Sequence, residues 1–253
     1  MAHVIAVVNQ KGGVGKTTTV LSLGSYLASA GKFVLIIDMD PQANATAGLG
    51  IDHRSVERSI YDVFAGNIGL RNIIVPTQHD GLRLAPANNA LAGANIELVG
   101  VERREFRLAD ILLEIRNDYD VVLIDCPPSL GLLTINALVA ADAVLVPVQA
   151  EYFALEGIGQ LLETIELIRQ GLHPQLEILG AVITMFEGRL RLSNDVLVEL
   201  HRYFPNRVFR SVIPRNVRLA EAPSHGQTIA HYDPNSKGAR AYEKLTRELL
   251  AVI

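Results

Sequence analysis

Tryptophan is absent from this sequence, cysteine occurs once, and aromatic residues make up only 6% of 253 positions. A single thiol excludes a disulfide framework within the chain and a multi-thiolate metal site. With so few rings, a core has to be built from Val, Ile, Leu and Ala. The 49% apolar content supplies them, and 20% charged residues is a globular composition. Strong charge of either sign is also missing. The formal net charge of −4 excludes a globally basic nucleic-acid binder and leaves a local basic face open. No apolar run reaches the ~20 residues that a bilayer requires. The longest, Ala137 to Val148, is broken by Asp142 and Pro147. Residues 1–9 are apolar but too short for a signal peptide, and no basic region precedes them. A cytoplasmic location is expected.

What is present is a series of short apolar runs: Val4–Val8, Phe33–Ile37, Val121–Ile124, Ala143–Val148 and Ile178–Ile183. They do not alternate, as expected of parallel strands covered on both faces. Helical spacing lies between them. Val20, Leu23 and Leu27 mark Thr17–Ala30, closed by Gly31, and Leu155, Ile158, Leu162, Ile165 and Ile168 mark Phe153–Arg169. This alternation predicts an α/β fold, a doubly wound, mostly parallel twisted sheet flanked by helices. No linker, repeat or low-complexity tract interrupts it, so one domain over residues 1–253 is expected.

The run Gln10-Lys11-Gly12-Gly13-Val14-Gly15-Lys16-Thr17-Thr18 follows the first expected strand and opens the first expected helix. That is the context of a phosphate-binding loop, in which glycines let backbone N–H groups converge at the positive end of a helix dipole. Lys16 is placed to reach the β- and γ-phosphates, the Thr17 hydroxyl to ligate Mg²⁺, and Thr18 to touch the α-phosphate. The candidate nucleotide set is therefore Lys11, Gly12, Gly13, Val14, Gly15, Lys16, Thr17 and Thr18. The strict G-x-x-x-x-G-K-S/T pattern fails at Gln10. A dinucleotide-binding turn is the nearest rival, with Asp38 at a ribose-contact distance, but that turn places no lysine against the phosphates.

Two further expected strands end in acids, Asp38-Met39-Asp40-Pro41-Gln42-Ala43-Asn44 and Asp125-Cys126-Pro127-Pro128. Carboxylates at the carboxyl ends of strands adjoin the ligand crevice of an open α/β sheet. Asp125 suits a Mg²⁺ site reached through water. Cys126 has no His nearby in sequence and reads as a small buried hydrophobe. No pair among the seven His has metal-ligand spacing, and His225 and His231 read as loop residues.

Lys11 to Thr17 resembles the deviant Walker A motif, K-G-G-x-G-K-S/T, of the ParA/MinD family of ATPases. The resemblance extends from Val4 to about Leu249, including D-x-D-P-Q-x-N at Asp38–Asn44, D-x-P-P at Asp125–Pro128 and the segment Val148–Gly157. Ile213–Pro223 and Tyr232–Ala239 resemble the Soj-like ParA branch. The resemblance implies that ATP and Mg²⁺ are the cofactors and that Lys11 crosses a homodimer interface to the partner's nucleotide. It further implies that Asp40 orients the attacking water or a metal-bound water, that Asp38 supports the Mg²⁺ shell or the loop, and that Pro214 and Asn216 line an adenine pocket. Catalytic roles thus fall on Lys11, Lys16 and Asp40, and metal roles on Thr17, Asp40 and Asp125.

Residues 171–253 hold 11 Lys+Arg against 8 Asp+Glu, a balance of +3, whereas residues 1–170 hold 12 against 19, a balance of −7. By the resemblance, Arg189, Arg215 and Arg218 in the basic third belong to a non-specific DNA face, and the chain is nucleoid-associated when ATP-bound. A ParB-type partner is implied as the activator of hydrolysis. The chain stops at Ile253 without a basic amphipathic tail, so no membrane partner is expected. Only ten residues precede Lys11, which leaves no room for an operator-binding domain. The alternatives are a positioning ATPase for a protein cluster or a pole or septum cargo without DNA, and a metabolic enzyme, for which no acceptor constellation is found.

Overall fold

A computed structural model describes residues 1–152 and 155–253. Its strands are β1 (His3–Val7), β2 (Val34–Asp38), β3 (Val75–Pro76), β4 (Leu82–Ala85), β5 (Val121–Asp125), β6 (Ala143–Gln149) and β7 (Glu177–Thr184). The α-helices are α1 (Lys16–Ser29), α2 (Asn44–Gly48), α3 (Ile60–Phe64), α4 (Leu91–Glu97), α5 (Arg107–Leu112), α6 (Leu132–Ala140), α7 (Glu156–Gly171), α8 (Arg191–Tyr203), α9 (Val217–Glu221), α10 (Ile229–Tyr232) and α11 (Lys237–Leu250). Each expected strand is present within a residue or so of its expected ends. The expected helix Phe153–Arg169 is observed from Glu156, and Phe153 and Ala154 lie outside the described residues.

The strands form one sheet in the order β3-β4-β2-β5-β1-β6-β7. All neighbours are parallel except the short edge pair β3 and β4. Successive strand residues face opposite cores. Leu35, Ile37, Val122 and Ile124 pack on one side of the sheet, and Val34, Ile36, Val121 and Leu123 on the other against α1 and α11. Burial of both faces explains why these strands read as continuous apolar runs. β1 lies between β5 and β6, so the chain leaves β1 toward one half of the sheet and later fills the other. The crevice at such a reversal, above the carboxyl ends of the strands, is where open α/β sheets hold ligands. Among the described residues no helix is long and apolar enough to cross a membrane.

Candidate nucleotide site

Three adjacent strands deliver the site. β1 feeds the loop 8–15, β2 feeds the segment 39–43, and β5 ends in Asp125, which stands in register with Asp38 of β2. The loop turns at Gly13 (φ 74°) and Gly15 (φ 89°), a left-handed backbone that side-chain-bearing residues avoid. Gly15 caps α1 without any side-chain hydrogen bond, so the first N–H groups of a 14-residue helix point into the cradle unclaimed by a cap. The loop is pinned from elsewhere. Thr184 Oγ1 at the end of β7 donates to the Val14 carbonyl (2.8 Å), and Asn9 Oδ1 accepts from the Lys11 N–H (2.9 Å).

The two lysines of the loop diverge. Lys16 is buried, and its Nζ donates to the Lys11 carbonyl (3.1 Å) across the cradle. Burial pulls its pKa below the ordinary lysine value, opposed by Asp125, Cys126 and Asp40. Lys11 is half-exposed and turns outward to Glu151 Oε2 at 3.5 Å. Glu151 is a partner that sequence reading missed.

The acids have separate tasks. Asp38 is fully buried and spends its oxygens on the backbone of the next loop. Oδ2 accepts from the Thr46 N–H (2.8 Å) and Oγ1 (2.7 Å), and Oδ1 accepts from the Asp40 N–H (3.1 Å). Of the two roles open to it, the geometry shows the loop support. Asp40 is buried at the cavity wall, and its Oδ1 accepts from the Gln42 N–H (2.9 Å). Asp125 Oδ2 accepts from Thr17 Oγ1 (2.7 Å), while its Oδ1 is buried with no hydrogen-bond partner. Burial and the neighbouring Asp38 push the Asp125 carboxyl well above the usual carboxylate range. A buried carboxylate with an orphaned oxygen beside a hydroxyl is a donor set for a hard cation, which relieves the desolvation that raises this pKa. The residues present therefore fit Mg²⁺. Among the described residues no cluster of three or more His, Cys, Asp or Glu could by itself hold a metal ion. Cys126 is buried, and burial with the neighbouring Asp125 raises its thiol pKa, which favours the neutral thiol.

Two cavities meet here. One of about 550 Å³ is walled by Gly12, Gly13, Lys16, Thr17, Asp40 and Pro128, among others. The second, about 360 Å³ and mostly apolar, is walled by Thr18, Pro214, Asn216, Leu219 and Tyr242. Gly15, Thr18, Met185, Leu219 and Ala220 border both. The pair has the shape of a triphosphate cradle joined to a base pocket. Asn216 Oδ1 is already engaged as the cap of α9, accepting from the Arg218 N–H (2.9 Å), so its NH₂ group is what remains to offer a base. Met185, with φ 51°, was not flagged by the sequence; nothing in its one-dimensional context marks a left-handed methionine.

The basic residues expected to meet DNA differ in their partners. Arg215 Nε reaches Glu187 (2.8 Å) and its guanidinium also approaches Glu151 (3.7 Å). Arg218 pairs with Glu221 (2.9 Å) and Asp233 (3.5 Å). Arg189 is exposed on the loop after β7. His231 lies in α10 and not in a loop, its ring 3.9 Å from that of buried His79.

A family model described as an AAA domain matches residues 2–178. The chain is 51% identical over 251 residues to the sporulation initiation inhibitor protein Soj of Bacillus subtilis, covering 99% of each. It is 48% identical over 250 residues to the chromosome partitioning protein ParA of Myxococcus xanthus, covering 99% of this chain and 88% of that one. Among solved structures it is similar to cobyrinic acid a,c-diamide synthase from Mycobacterium smegmatis with bound ATP analog and magnesium, at 40% identity and a TM-score of 0.86, covering 99% of this chain and 95% of that one. It is also similar to the cell division ATPase MinD of Pyrococcus furiosus, at 26% identity and a TM-score of 0.81 over all of both chains.

Proposed function

The chain belongs to the Soj/ParA family of chromosome-partitioning ATPases, and from that premise we propose that its ATP cycle switches a homodimer on and off non-specific DNA. It is an ATP hydrolase that uses ATP with Mg²⁺. Lys16 and the N–H groups of the loop bind the triphosphate, and Thr17 and Asp125 hold the Mg²⁺ shell. The bound Mg²⁺ neutralises phosphate charge that two lysines alone leave uncompensated. Asp40 orients the attacking water. Pro214 and Asn216 border the base. The 253 residues act as one domain.

The observation that carries the dimer is the divergence of the two lysines. Lys16 fills the chain's own cradle, whereas Lys11 points out of it toward Glu151 and reaches a second subunit by giving up that 3.5 Å contact. A cation supplied across an interface stabilises the transferring phosphoryl only when two chains have met. Nucleotide favours the dimer to the extent that it binds the dimer better than the monomer. DNA then binds through phosphate contacts at Arg189, Arg215 and Arg218, and a ParB-type partner with a basic segment accelerates hydrolysis and release. The ATP-bound form is nucleoid-associated.

The test is retention of the chain on random duplex DNA with ATP, ADP and a non-hydrolysable analogue, over a series of salt concentrations. Retention that needs triphosphate and falls steeply with salt is expected. Equal retention with ADP and ATP refutes the switch.

A further inference from the structure

The backbone around Lys11 is held from several sides. The Lys11 N–H donates to Asn9 Oδ1 (2.9 Å), and its carbonyl accepts from Lys16 Nζ (3.1 Å). Asn9 is itself buried, and its Nδ2 donates to the Pro147 carbonyl of β6 (2.8 Å). The residue before Lys11 is tied to α7, because Gln10 Nε2 donates to the Gly157 carbonyl (3.0 Å). These two struts reach across 138 and 147 positions of sequence. The inner part of the loop is pinned separately, by Thr184 on the Val14 carbonyl (2.8 Å).

The Asn9 strut begins where the sheet stops. Val8 N–H donates to the Leu145 carbonyl (3.1 Å) as a ladder rung between β1 and β6. Two residues on along β6, the Pro147 carbonyl receives the Asn9 side chain in place of a backbone N–H. The chain can therefore leave the sheet without orphaning that acceptor. The Gln10 strut carries a steric signature. A Cβ at Gly157 would stand 2.5 Å from Gln10 Nε2 and 3.2 Å from its Cγ and Cδ. Gly157 lies in the first turn of a 16-residue helix, where alanine is favoured over glycine. The helix forgoes that preference at the place where Gln10 docks.

We propose that Asn9 and Gln10 are positioning residues for Lys11, a bracket hung from β6 and α7 that fixes the direction in which its side chain leaves the loop for the nucleotide of a second subunit. The inference rests on the reading of Lys11 as acting across a dimer interface. A long, flexible side chain delivers charge to a distant phosphoryl group only if its Cα is held still, and a misplacement of ~1 Å can lower a rate ~100-fold. Glu151, which Lys11 meets within the single chain, lies in sequence between the two anchor points Pro147 and Gly157, so the same bracket also sets the lysine's resting contact. Because Thr184 holds the inner loop independently, loss of the bracket falls on the contact between subunits and spares the chain's own grip on nucleotide.

The experiment compares the unmodified chain with Gln10→Met, Gly157→Ala and Lys11→Ala. Methionine keeps the length of Gln10 and removes its donor. Gly157→Ala evicts the Gln10 side chain while favouring the helix, so a variant that folds is at hand. Three quantities are measured: affinity for a fluorescent ATP analogue at protein concentrations that keep the chain monomeric, dimerisation with a non-hydrolysable ATP analogue by sedimentation, and kcat for ATP. For Gln10→Met and Gly157→Ala the expected result is a loss of about tenfold in both dimerisation and kcat, in the same direction as Lys11→Ala, with analogue affinity within about twofold of the parent. Parental dimerisation and kcat in these two variants overturn the bracket alone. Analogue affinity that falls as far as kcat shows general support of the loop, and it overturns the bracket as well. If Lys11→Ala leaves dimerisation and turnover unchanged, the reading of Lys11 falls and the bracket falls with it.

Discussion

Thr46→Val tests whether Asp38 is a strut for the loop that carries Asp40. The exchange preserves shape and removes one hydroxyl. In the folded chain that hydroxyl donates to Asp38 Oδ2 (2.7 Å) and accepts from the Ala87 N–H (3.0 Å), with Thr46 and Ala87 both fully buried. Losing a hydrogen bond to a carboxylate costs about 1.5–3 kcal/mol, and leaving a buried N–H without a partner costs about 1–3 kcal/mol more. A total of about 3–5 kcal/mol is expected. For a domain of this size that corresponds to a fall in Tm of at least about 6 °C. Thr46→Ser keeps the hydroxyl and loses one methyl group, so about 1 kcal/mol is expected from it. Asp38 would keep only its two backbone donors. Burial already raises its pKa, and the valine variant raises it further. The assay is urea unfolding of both variants, with ATP hydrolysis measured alongside. If the valine variant loses less than about 1 kcal/mol, or no more than the serine variant, the strut does not exist.

Asp40→Ala is expected to bind ATP but hydrolyse it at least ~100-fold more slowly, accumulating a DNA-held dimer; normal turnover would remove Asp40 from the water-positioning role. Lys16→Ala is expected to abolish ATP binding and dimerisation together, and a fluorescent ATP analogue bound with unchanged affinity would contradict the cradle. Burial lowers the His79 pKa to about 4, with His231 opposing its charge further. Unfolded His79 takes a proton near pH 6.5 and folded His79 does not. Stability should therefore fall by about 1–2 kcal/mol as pH drops from about 6.5 towards 4, a figure discounted for partial solvent screening. His79→Phe should flatten that part of the pH profile relative to the parent, and parallel profiles would exclude His79 as its source. Gly238→Ala would bring a Cβ within 2.7 Å of Leu219 Cγ, the branch point of a residue bordering both nucleotide cavities. Alanine's helix preference of about 1 kcal/mol offsets much of the overpacking, so stability should change little while ATP affinity falls several-fold. Unchanged affinity would show that α9 gives way without moving the pocket wall.

The parts of the site legible in the sequence are those written in consecutive residues. The loop from Lys11 to Thr18 combines its glycines, lysines and helix start in one string, and Asp38 and Asp125 each close an apolar run. What was not legible depends on contacts across the chain. Glu151 meets Lys11 from 140 positions away, and Thr184 meets Val14 from 170. Leu82–Ala85 is only four residues and alternates through Arg83, so it carries neither the length nor the unbroken apolar run of its neighbours. α11 shows its charged residues in sequence, but that Lys237, Arg240 and Lys244 make no ion pair among the described residues, while Arg247 pairs with Glu243, appears only once the fold is known. That the Asn216 oxygen caps α9 was equally hidden, because the helix start at Val217 is not marked in the sequence.

Helix α11 stands between the nucleotide cavities and a cation-lined groove that adjoins them at Pro214. The helix turns Tyr242 inward, where its hydroxyl shares a 3.0 Å hydrogen bond with Thr19 of α1, one residue beyond Thr18 at the base pocket. Its first turn presses Gly238 against Leu219, which borders both nucleotide cavities. Its outward face carries Lys237, Arg240, Lys244 and Arg247. A helix shifts as a unit because its backbone hydrogen bonds run end to end. Leu219 and Thr19 are thus the two points at which the nucleotide cavities bear on α11. The same helix lines both cavities, Tyr242 the one beside Thr18 and Lys237, Arg240, Ala241 and Lys244 the other.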